Sequence, residues 1–418
     1  MVTLPYGRSS VSFDWPSGLD CDLLEYPGAS HTVPEVESAR RIREALDRPI
    51  GTPRLMELAK GKDQAVILIS DGTRLCPSPL LLRELLRELN GAGIADDRVD
   101  VVVALGLHRK HTETELEALT GPDIFRRVRV HNHSPLTEHC VRIGTTSRGT
   151  PVEINRLVAE APLRIATGNI EPHNLVGISG GVKALIPGVA SHACIERNHS
   201  LSLEYTTEPG KADNPVHRDL EEALRFISID YMLNVVVNHR RQVLEAVAGD
   251  IQEAHRKGTD LAVRHFLIPA ERKYDLVVIA PGGTPKDCQL YQSLKSLRNA
   301  SGFARPGGTL LMAAECGELF GNGIFQFWVE TMHKREEAAA QLKKQFVLGA
   351  HKILHADEIL SRHNVWLYSS IPPALVELLG FRPVERLQET VTALTERKSL
   401  SVAVMPYGAL TFPMLSSV

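Results

Sequence analysis

The sequence is short of the features that mark several common classes of protein. Its six cysteines are scattered over 418 residues and none of them forms a CxxC pair, so neither a zinc ribbon nor a disulfide framework is indicated. No apolar run reaches the roughly 18–20 residues that a membrane helix needs, and no signal region is visible. These absences predict a reduced, cytoplasmic protein without a membrane partner.

An excess of charge of one sign is also missing. Lys and Arg number 47 against 50 Asp and Glu, which gives a formal net charge of −3. Proteins that bind nucleic acid usually carry a basic excess or a basic stripe, so no nucleic-acid partner is expected. The chain is long enough for two hydrophobic cores, which predicts two domains.

What the sequence does contain is a repeated alternation of buried strands and helices. The strand-like segments are 65–74, 99–108, 161–173, 231–239, 274–283, 307–317 and 364–370, with helical patterns at 78–93 and 112–121 between the first three. This order predicts parallel sheets. We therefore predict an α/β protein of two domains, each built on a mainly parallel sheet with flanking helices, with the active site in the interdomain cleft.

The domain boundary is expected where the second alternation begins. We predict an N-terminal catalytic and cofactor-binding domain over 1–268 and a C-terminal α/β domain over 269–403 that contributes substrate contacts. Since 401–413 is strand-like, we expect the last segment, about 404–418, to pack back on the first domain.

Polar side chains follow three of the predicted strands. The segment "DGTR" (71–74) follows the first, His108 the second and His173 the third. Ligands of open parallel sheets bind outside the carboxyl ends of the strands, so these side chains can meet on one rim. Two histidines there suit acid/base chemistry near neutral pH, although a polar loop is the commoner explanation of any one histidine. We expect the "HNH" at 131–133 to be solvated.

The segment "GISGGVKALIPG" (177–188) places Lys183 among glycines and aliphatic residues. It is not a Walker A loop, because Val182 precedes the lysine and Ala184 follows it. The glycines fit a tight packing turn and a ligand close to the backbone equally well. A lysine in apolar surroundings can have a lowered pKa and act as a nucleophile or covalent anchor.

Two helical segments carry further candidates. His192 and His199 are seven residues apart on one helix face, and periodicity does not choose between them as a metal ligand. Gln292 and Lys295 share a face of the helix at 291–300 and can reach the cleft from the second domain, although an ordinary exposed helix explains them too.

In order and spacing, these segments resemble the nickel-pincer lactate racemase family. The resemblance covers most of the chain and depends on "DGTR", "GLHRKHTETE", "GNIEPHNLVGISGGVKALIPGVA", "RNHS" and "APGGTPKDCQLYQSLKSL". It implies a nickel ion held by a pyridinium-3,5-bisthiocarboxylic acid mononucleotide. The roles that it implies are cofactor binding for Asp71, Gly72, Thr73 and Arg74, a possible covalent link at Lys183, nickel ligation by His199, acid/base catalysis by His108 and His173, and substrate binding by Arg74, Gln292 and Lys295.

The activity implied by the resemblance is racemisation or epimerisation of a 2-hydroxy acid by reversible hydride transfer to that cofactor. Lactate or malate is preferred, because Arg74 and Lys295 hold one carboxylate and a second could use Arg298 or Lys286. A small anionic acid and the enzymes that make the cofactor are the expected partners. The alternatives are a sugar-acid epimerase and a non-catalytic carrier of the cofactor. An NAD-dependent dehydrogenase is disfavoured, because "APGGTPKD" (280–287) lacks G-x-G-x-x-G.

Overall fold

The structure is a computed structural model that describes residues 1–16, 19–332, 334–396 and 400–414. The chain forms two compact units, one made of Ser30–His265 and the other of Met1–Ala29 and the chain from Phe266 onward. We call them the central unit and the terminal unit. In these described ranges, no helix combines the length and the apolar character needed to cross a bilayer.

Strands and α-helices alternate along most of the chain. The strands are β1 (Val2–Tyr6), β2 (Ser9–Phe13), β3 (Cys21–Leu23), β4 (Ala65–Ser70), β5 (Val99–Ala104), β6 (Arg129–Asn132), β7 (Cys140–Thr145), β8 (Pro151–Asn155), β9 (Arg164–Asn169), β10 (Pro172–His173), β11 (Gly177–Ile178), β12 (Tyr231–Val237), β13 (Val243–Gly249), β14 (Leu267–Pro269), β15 (Tyr274–Ile279), β16 (Ala304–Ala313), β17 (Asn364–Tyr368), β18 (Arg382–Val384), β19 (Val402–Met405) and β20 (Phe412–Met414). The helices are α1 (Glu35–Asp47), α2 (Leu55–Leu58), α3 (Ser78–Gly91), α4 (Glu113–Thr120), α5 (Pro122–Phe125), α6 (Arg156–Glu160), α7 (His192–Ser200), α8 (Pro215–Glu222), α9 (Glu253–Phe266), α10 (Leu290–Ser301), α11 (Gly323–Thr331), α12 (Arg335–Lys344), α13 (Lys352–Leu360), α14 (Pro373–Leu378) and α15 (Leu387–Thr395).

The central unit is built on a mainly parallel sheet. Among its described residues, six strands lie in the order β13-β12-β9-β4-β5-β6, and only β13 is antiparallel to its neighbour. The first five residues of β4 are buried, whichever face of the sheet they point to. A parallel sheet covered on both faces needs such a continuous apolar run, which is why the run 65–69 predicts the strand.

Local signals fix the helices that follow these strands. Thr112 accepts a hydrogen bond from the Glu115 backbone N–H at 3.3 Å, and the Glu115 carboxylate accepts one from the Thr112 N–H at 2.8 Å, which is a capping box at the start of the predicted helical pattern over 112–121. Helix α3 begins at Ser78 with Pro77 in the cap position, at the start of the predicted helical pattern over 78–93.

The terminal unit has a second parallel sheet. Its described strands lie in the order β18-β17-β16-β15-β19-β3, and every pair is parallel. Leu276 and Val278 of β15 belong to one core cluster, while Val277 and Ile279 belong to another. Since successive side chains point to opposite faces, the sheet is covered on both sides. The predicted α/β class with two parallel-sheet domains is confirmed.

Both chain ends lie in a different unit from the one predicted. Residues Met1–Ala29 were expected in the first domain, but β3 pairs with β19, and Leu4 and Phe13 share a core cluster with Val404, so these residues belong to the terminal unit. The segment from 404 was expected to return to the first domain. Its strands β19 and β20 pair with β15 and β14 of the terminal unit instead, and residues 415–418 lie outside the described part.

His133 corrects the expectation that the segment 131–133 is solvated. Its side chain is fully buried, its Nε2 lies 2.9 Å from the Ala190 carbonyl oxygen and its Nδ1 lies 3.2 Å from Asn155 Nδ2. Burial lowers the pKa of His133 to about 4. The folded protein therefore holds this imidazole in its neutral form at neutral pH.

Acidification from pH 7 to pH 4.5 is expected to destabilise the protein. Below the ordinary histidine pKa of about 6.5, the unfolded chain binds a proton that folded His133 does not bind until about pH 4, so stability falls as pH falls through this window. The loss attributable to His133 is on the order of 2–3 kcal/mol. Urea unfolding at several pH values measures it, with His133→Gln expected to flatten the dependence and exposed His139→Gln as the control. Identical pH dependence in the wild type and His133→Gln would contradict this assignment.

Candidate functional site

The site is built at the carboxyl ends of three neighbouring strands. Strand β4 lies between β9 and β5 in the central sheet, and all three run parallel. They end at Ser70, Ala104 and Asn169, so the loops that carry Asp71, His108 and His173 leave the sheet side by side. The predicted convergence of three distant segments on one rim therefore follows from the strand order.

Asp71 and His108 form a short polar contact at this rim. Asp71 Oδ2 lies 2.6 Å from His108 Nδ1, and Oδ1 accepts the Thr73 backbone N–H at 2.7 Å. Burial would raise the pKa of Asp71, but His108, Arg74 and Thr73 together hold it well below its usual range. Because an ionised carboxylate only accepts hydrogen bonds, Nδ1 of His108 carries the proton and the neutral ring has its lone pair on Nε2.

The structure adds His111, which sequence reasoning missed. Its Nε2 accepts the Gly72 backbone N–H at 3.2 Å, and its Nδ1 lies 3.3 Å from Glu115 Oε2. His111 thus connects the 71–74 loop to the capping box of α4. The signal was present in "HRKHTETE", where His111 directly precedes the cap residue Thr112 and lies four residues before Glu115, but spacing alone does not show that the ring turns toward Gly72.

Arg74 and Glu171 connect the first strand end to the third. Arg74 Nη1 lies 3.7 Å from Glu171 Oε1, and Glu171 is 5% exposed. The Glu171 backbone N–H donates to Ser179 Oγ at 2.9 Å, and the Ser179 N–H donates back to the Glu171 carbonyl at 2.9 Å. Glu171, also missed in the sequence, therefore joins the 71–74 loop, the His173 loop and the glycine-rich segment.

His173 ends the short strand β10, which pairs with β11 in a tight antiparallel ribbon. Its Nδ1 accepts the Leu175 backbone N–H at 3.1 Å. That hydrogen bond needs a lone pair on Nδ1, so the neutral ring carries its proton on Nε2. His108 and His173 are thus held in opposite tautomers, one with a lone pair and the other with a proton on Nε2.

Lys183 lies in a short 3-10 turn over Gly181–Ala184. Gly180, which precedes this turn, and Gly181, which opens it, both have positive φ. A Cβ atom at Gly180 would meet Asn234 Oδ1 at 2.6 Å, and one at Gly181 would meet His255 Cγ at 2.7 Å. These glycines are therefore needed to pack the turn against the protein's own side chains, which is the first of the two explanations that the sequence left open.

The same packing fixes the environment of the Lys183 amine. The Gly181 N–H donates to Asn234 Oδ1 at 2.7 Å, and His255 Nε2 lies 2.8 Å from the Ser179 carbonyl oxygen, so the start of the turn is held. Burial first, and the Arg74 guanidinium second, hold the pKa of Lys183 well below its usual range. The amine is therefore more nucleophilic at neutral pH than an exposed lysine.

The structure distinguishes the two histidines of α7. His192 stands in the first turn with its side chain 50% exposed and 3.9 Å from Glu196, whereas His199 is half-buried in the last turn. Among the described residues, no group of three His, Cys, Asp or Glu side chains is placed to hold a metal ion. The half-buried position favours His199 over His192 as the ligand that the resemblance implies.

Gln292 and Lys295 lie on α10 of the terminal unit. Gln292 is 7% exposed and Lys295 is partly buried, so the explanation by an ordinary exposed helix does not hold. The helix packs against β15, β16 and α13 of the same unit. Substrate binding by these two residues stays a prediction.

The fold is of the α/β class, and the segments that follow β4, β5 and β9 of its central sheet carry Arg74, His108 and His173. Residues 6–210 match the lactate racemase N-terminal domain, and residues 270–411 match the lactate racemase C-terminal domain. The chain belongs to the lactate racemase family, as the sequence predicted, and is an isomerase of the racemase type.

Named relatives agree with this assignment. The chain is 36% identical to the lactate racemase of Lactiplantibacillus plantarum over 420 residues, which cover 97% of this chain and 98% of the relative. It is 35% identical to that of Thermoanaerobacterium thermosaccharolyticum over 335 residues, 78% of this chain and 77% of the relative. The solved structure of the lactate racemase apoprotein from the latter organism matches 99% of this chain and 100% of its own, with a TM-score of 0.88 and 30% sequence identity.

Proposed function

We propose that the protein interconverts the two enantiomers of a short 2-hydroxy acid, lactate or malate, with His108 and His173 as the acid/base pair. The observation that supports this most is the pair of Nδ1 contacts, with the Asp71 carboxylate on His108 and with the Leu175 N–H on His173, from which we assign opposite neutral tautomers to the two rings. A racemase needs a proton acceptor for one hand of its substrate and a proton donor for the other.

The residues present suit the nickel-pincer nucleotide. Lys183 offers an amine whose pKa is depressed, which suits bonding to a thiocarboxylate, and the half-buried His199 offers an imidazole nitrogen for nickel. Arg74 and the backbone of 71–74 lie at a strand end, where a nucleotide phosphate is commonly held. When bound, this cofactor supplies reversible acceptance of the hydride from C2 of the substrate.

The protein's own groups handle the proton and the carboxylate. His108 takes the hydroxyl proton through Nε2, while the Asp71 carboxylate stabilises the imidazolium that forms. When the other enantiomer forms, His173 in its imidazolium form gives the Nε2 proton to the oxygen of the planar 2-keto acid. Proton exchange with solvent restores both rings, and the roles reverse for the opposite direction. Arg74 binds the substrate carboxylate, and Glu171 at 3.7 Å keeps the guanidinium oriented.

A chiral assay tests the proposal. Protein produced together with the cofactor-making enzymes is incubated with single enantiomers of lactate, malate and sugar acids, and the enantiomeric composition is followed by chiral chromatography. We expect exchange of a short 2-hydroxy acid, together with an intact-mass increase that Lys183→Met abolishes. Turnover of sugar acids alone would favour the epimerase alternative. Nickel loading without turnover of any 2-hydroxy acid would favour the carrier and contradict the proposal.

A further inference from the structure

A pair of buried imidazoles packs against the turn that carries Lys183. The rings of His217 in α8 and His255 in α9 are parallel to within 5°, with their centroids 5.6 Å apart, and the two residues are 1% and 2% exposed. We call them the histidine pair. Neither residue lies at a strand end, so the pattern that predicts the other site histidines does not predict these two.

His255 attaches the histidine pair to the start of the turn. Its Nε2 lies 2.8 Å from the Ser179 carbonyl oxygen, and a carbonyl only accepts, so Nε2 carries the proton of the neutral ring. The ring also fills the space that a Cβ of Gly181 would need, since that atom would lie 2.7 Å from His255 Cγ. Burial lowers the pKa of His255, which keeps the ring uncharged at neutral pH. The pair and the start of the turn therefore keep a fixed relation to each other.

His217 is placed by its helix rather than by hydrogen bonds of its ring. Asn214 caps α8, and its Oδ1 accepts the His217 backbone N–H at 2.9 Å. The helix packs against the 181–184 turn and against α7. Within the described residues, neither ring nitrogen of His217 makes a hydrogen bond of good geometry, and Glu221 Oε1 lies 3.8 Å from Nε2. A buried polar group without a partner destabilises a fold, so stability does not explain a histidine at this position.

The electrostatics of His217 connect it to Lys183. Burial first, then His255 and then the Lys183 ammonium lower the pKa of His217 to about 3, while the Val176 carbonyl oxygen opposes this shift. The Lys183 amine therefore lies within electrostatic reach of the ring in buried surroundings. A pKa of about 3 excludes His217 as a proton acceptor at neutral pH, but the neutral ring keeps one nitrogen lone pair that can accept a hydrogen bond.

The other groups that act on the Lys183 amine already have partners. Arg74 acts to lower the pKa of Lys183 and Glu171 acts to raise it. Arg74 Nη1 lies 3.7 Å from Glu171 Oε1, and Glu171 Oε2 accepts a hydrogen bond from Asn169 Nδ2 at 3.1 Å. In the described part of the chain, His217 differs from these groups because its ring nitrogens are unfilled.

We propose that His217 is a positioning residue for Lys183, whose ring nitrogen accepts an N–H of the Lys183 nitrogen and directs the lone pair of that nitrogen toward its ligand. The inference rests on the proposed function only in naming the cofactor as that ligand. An uncharged amine has two N–H groups, and one remains after the nitrogen bonds to an acyl carbon, so a buried lysine nitrogen needs an acceptor in both states. The bond is not made in the structure, and the flexible lysine stem lets it form when the nitrogen reacts.

Acetylation of Lys183 in the full-length protein tests this role without the cofactor. N-hydroxysuccinimidyl acetate transfers its acetyl group to an amine and releases N-hydroxysuccinimide and a proton, which leaves one N–H on the nitrogen. Peptide mass spectrometry gives the rate at Lys183 from about pH 6 to about pH 10, with the exposed Lys62 as the internal reference. We expect His217→Phe, which keeps an aromatic ring, to lower the plateau rate at Lys183 about tenfold. His217→Gln supplies an amide oxygen and should restore most of the rate.

The pH profile of acetylation separates orientation of the amine from packing around it. Loss of the hydrogen bond lowers the plateau rate, whereas loss of packing admits water and raises the pH at which Lys183 begins to react. His192→Phe makes the same change at a half-exposed histidine of the same unit and should alter neither. If His217→Phe lowers the melting temperature, His217→Met and His217→Gln, which differ little in shape, take its place. A wild-type plateau in folded His217→Phe, or equal rates in the Met and Gln variants, would overturn the proposal.

Turnover by the matured protein distinguishes this inference from the proposed function. Slower acetylation of Lys183 in His217→Phe, combined with a wild type that turns over no 2-hydroxy acid, would keep the positioning role and reject the racemase assignment. Racemisation by the wild type, combined with an unchanged acetylation rate in His217→Phe, would do the reverse.

Discussion

Replacement of His108 or His173 by glutamine is expected to lower the rate of racemisation by about 10²–10⁴-fold. Glutamine keeps a polar side chain of similar reach but neither takes nor gives a proton at neutral pH. Since racemisation requires a base for each hand of the substrate, the two variants should fail on opposite enantiomers in a single turnover. Quenched-flow measurement of 2-keto acid formed from each pure enantiomer resolves this, with nickel content recorded to show that the cofactor is retained.

His192→Gln is the matched control for both variants. It removes a histidine of the same unit that is half exposed and lies in the first turn of α7. We expect wild-type turnover from this variant. If His108→Gln and His173→Gln both blocked the same enantiomer, the two histidines would not serve opposite hands of the substrate. If both retained wild-type rates, neither would be the acid/base group.

The parallel sheets could be predicted because burial on both faces leaves continuous apolar runs. Strands β4, β5 and β15 contain such runs, and polar residues or glycines follow within a few positions of each strand end. Strand β3 gives no comparable signal, since it has three residues and none of them is buried. Its pairing with β19 joins residues about 380 positions apart, so the sequence could not show that the first 29 residues belong to the terminal unit.

The sequence predicts those candidate site residues that lie just after the carboxyl ends of parallel strands. Asp71, His108 and His173 lie one, four and four residues after the ends of β4, β5 and β9, whereas Glu171 and Asn234 act by holding other loops. Such contacts depend on how the loops turn, and residue spacing does not record this. The tautomer of His108 could not be predicted from the sequence either, because the hydrogen-bond partner that determines it is the Asp71 carboxylate, 37 positions away.

Replacement of Asp71 by asparagine is expected to lower kcat by about 10²–10⁴-fold with the loop left in place, the size of effect seen when the orienting aspartate of a catalytic histidine is changed in the same way. The asparagine oxygen can still accept the Thr73 N–H. Its amide, however, donates to His108 Nδ1 and so moves the ring proton to Nε2, where the lone pair is needed.

The effect of Asp71→Asn distinguishes two roles for this residue. If Asp71 orients His108, the variant keeps its nickel content and melting temperature but loses turnover. If Asp71 mainly holds the cofactor, as the family resemblance implies, nickel content falls together with activity. Asp123→Asn, at an 88% exposed carboxylate of the same unit, should change neither. Wild-type kcat in Asp71→Asn would contradict both roles. It would show that the negative charge of this buried carboxylate, whose pKa is held below its usual range, is not needed for the reaction.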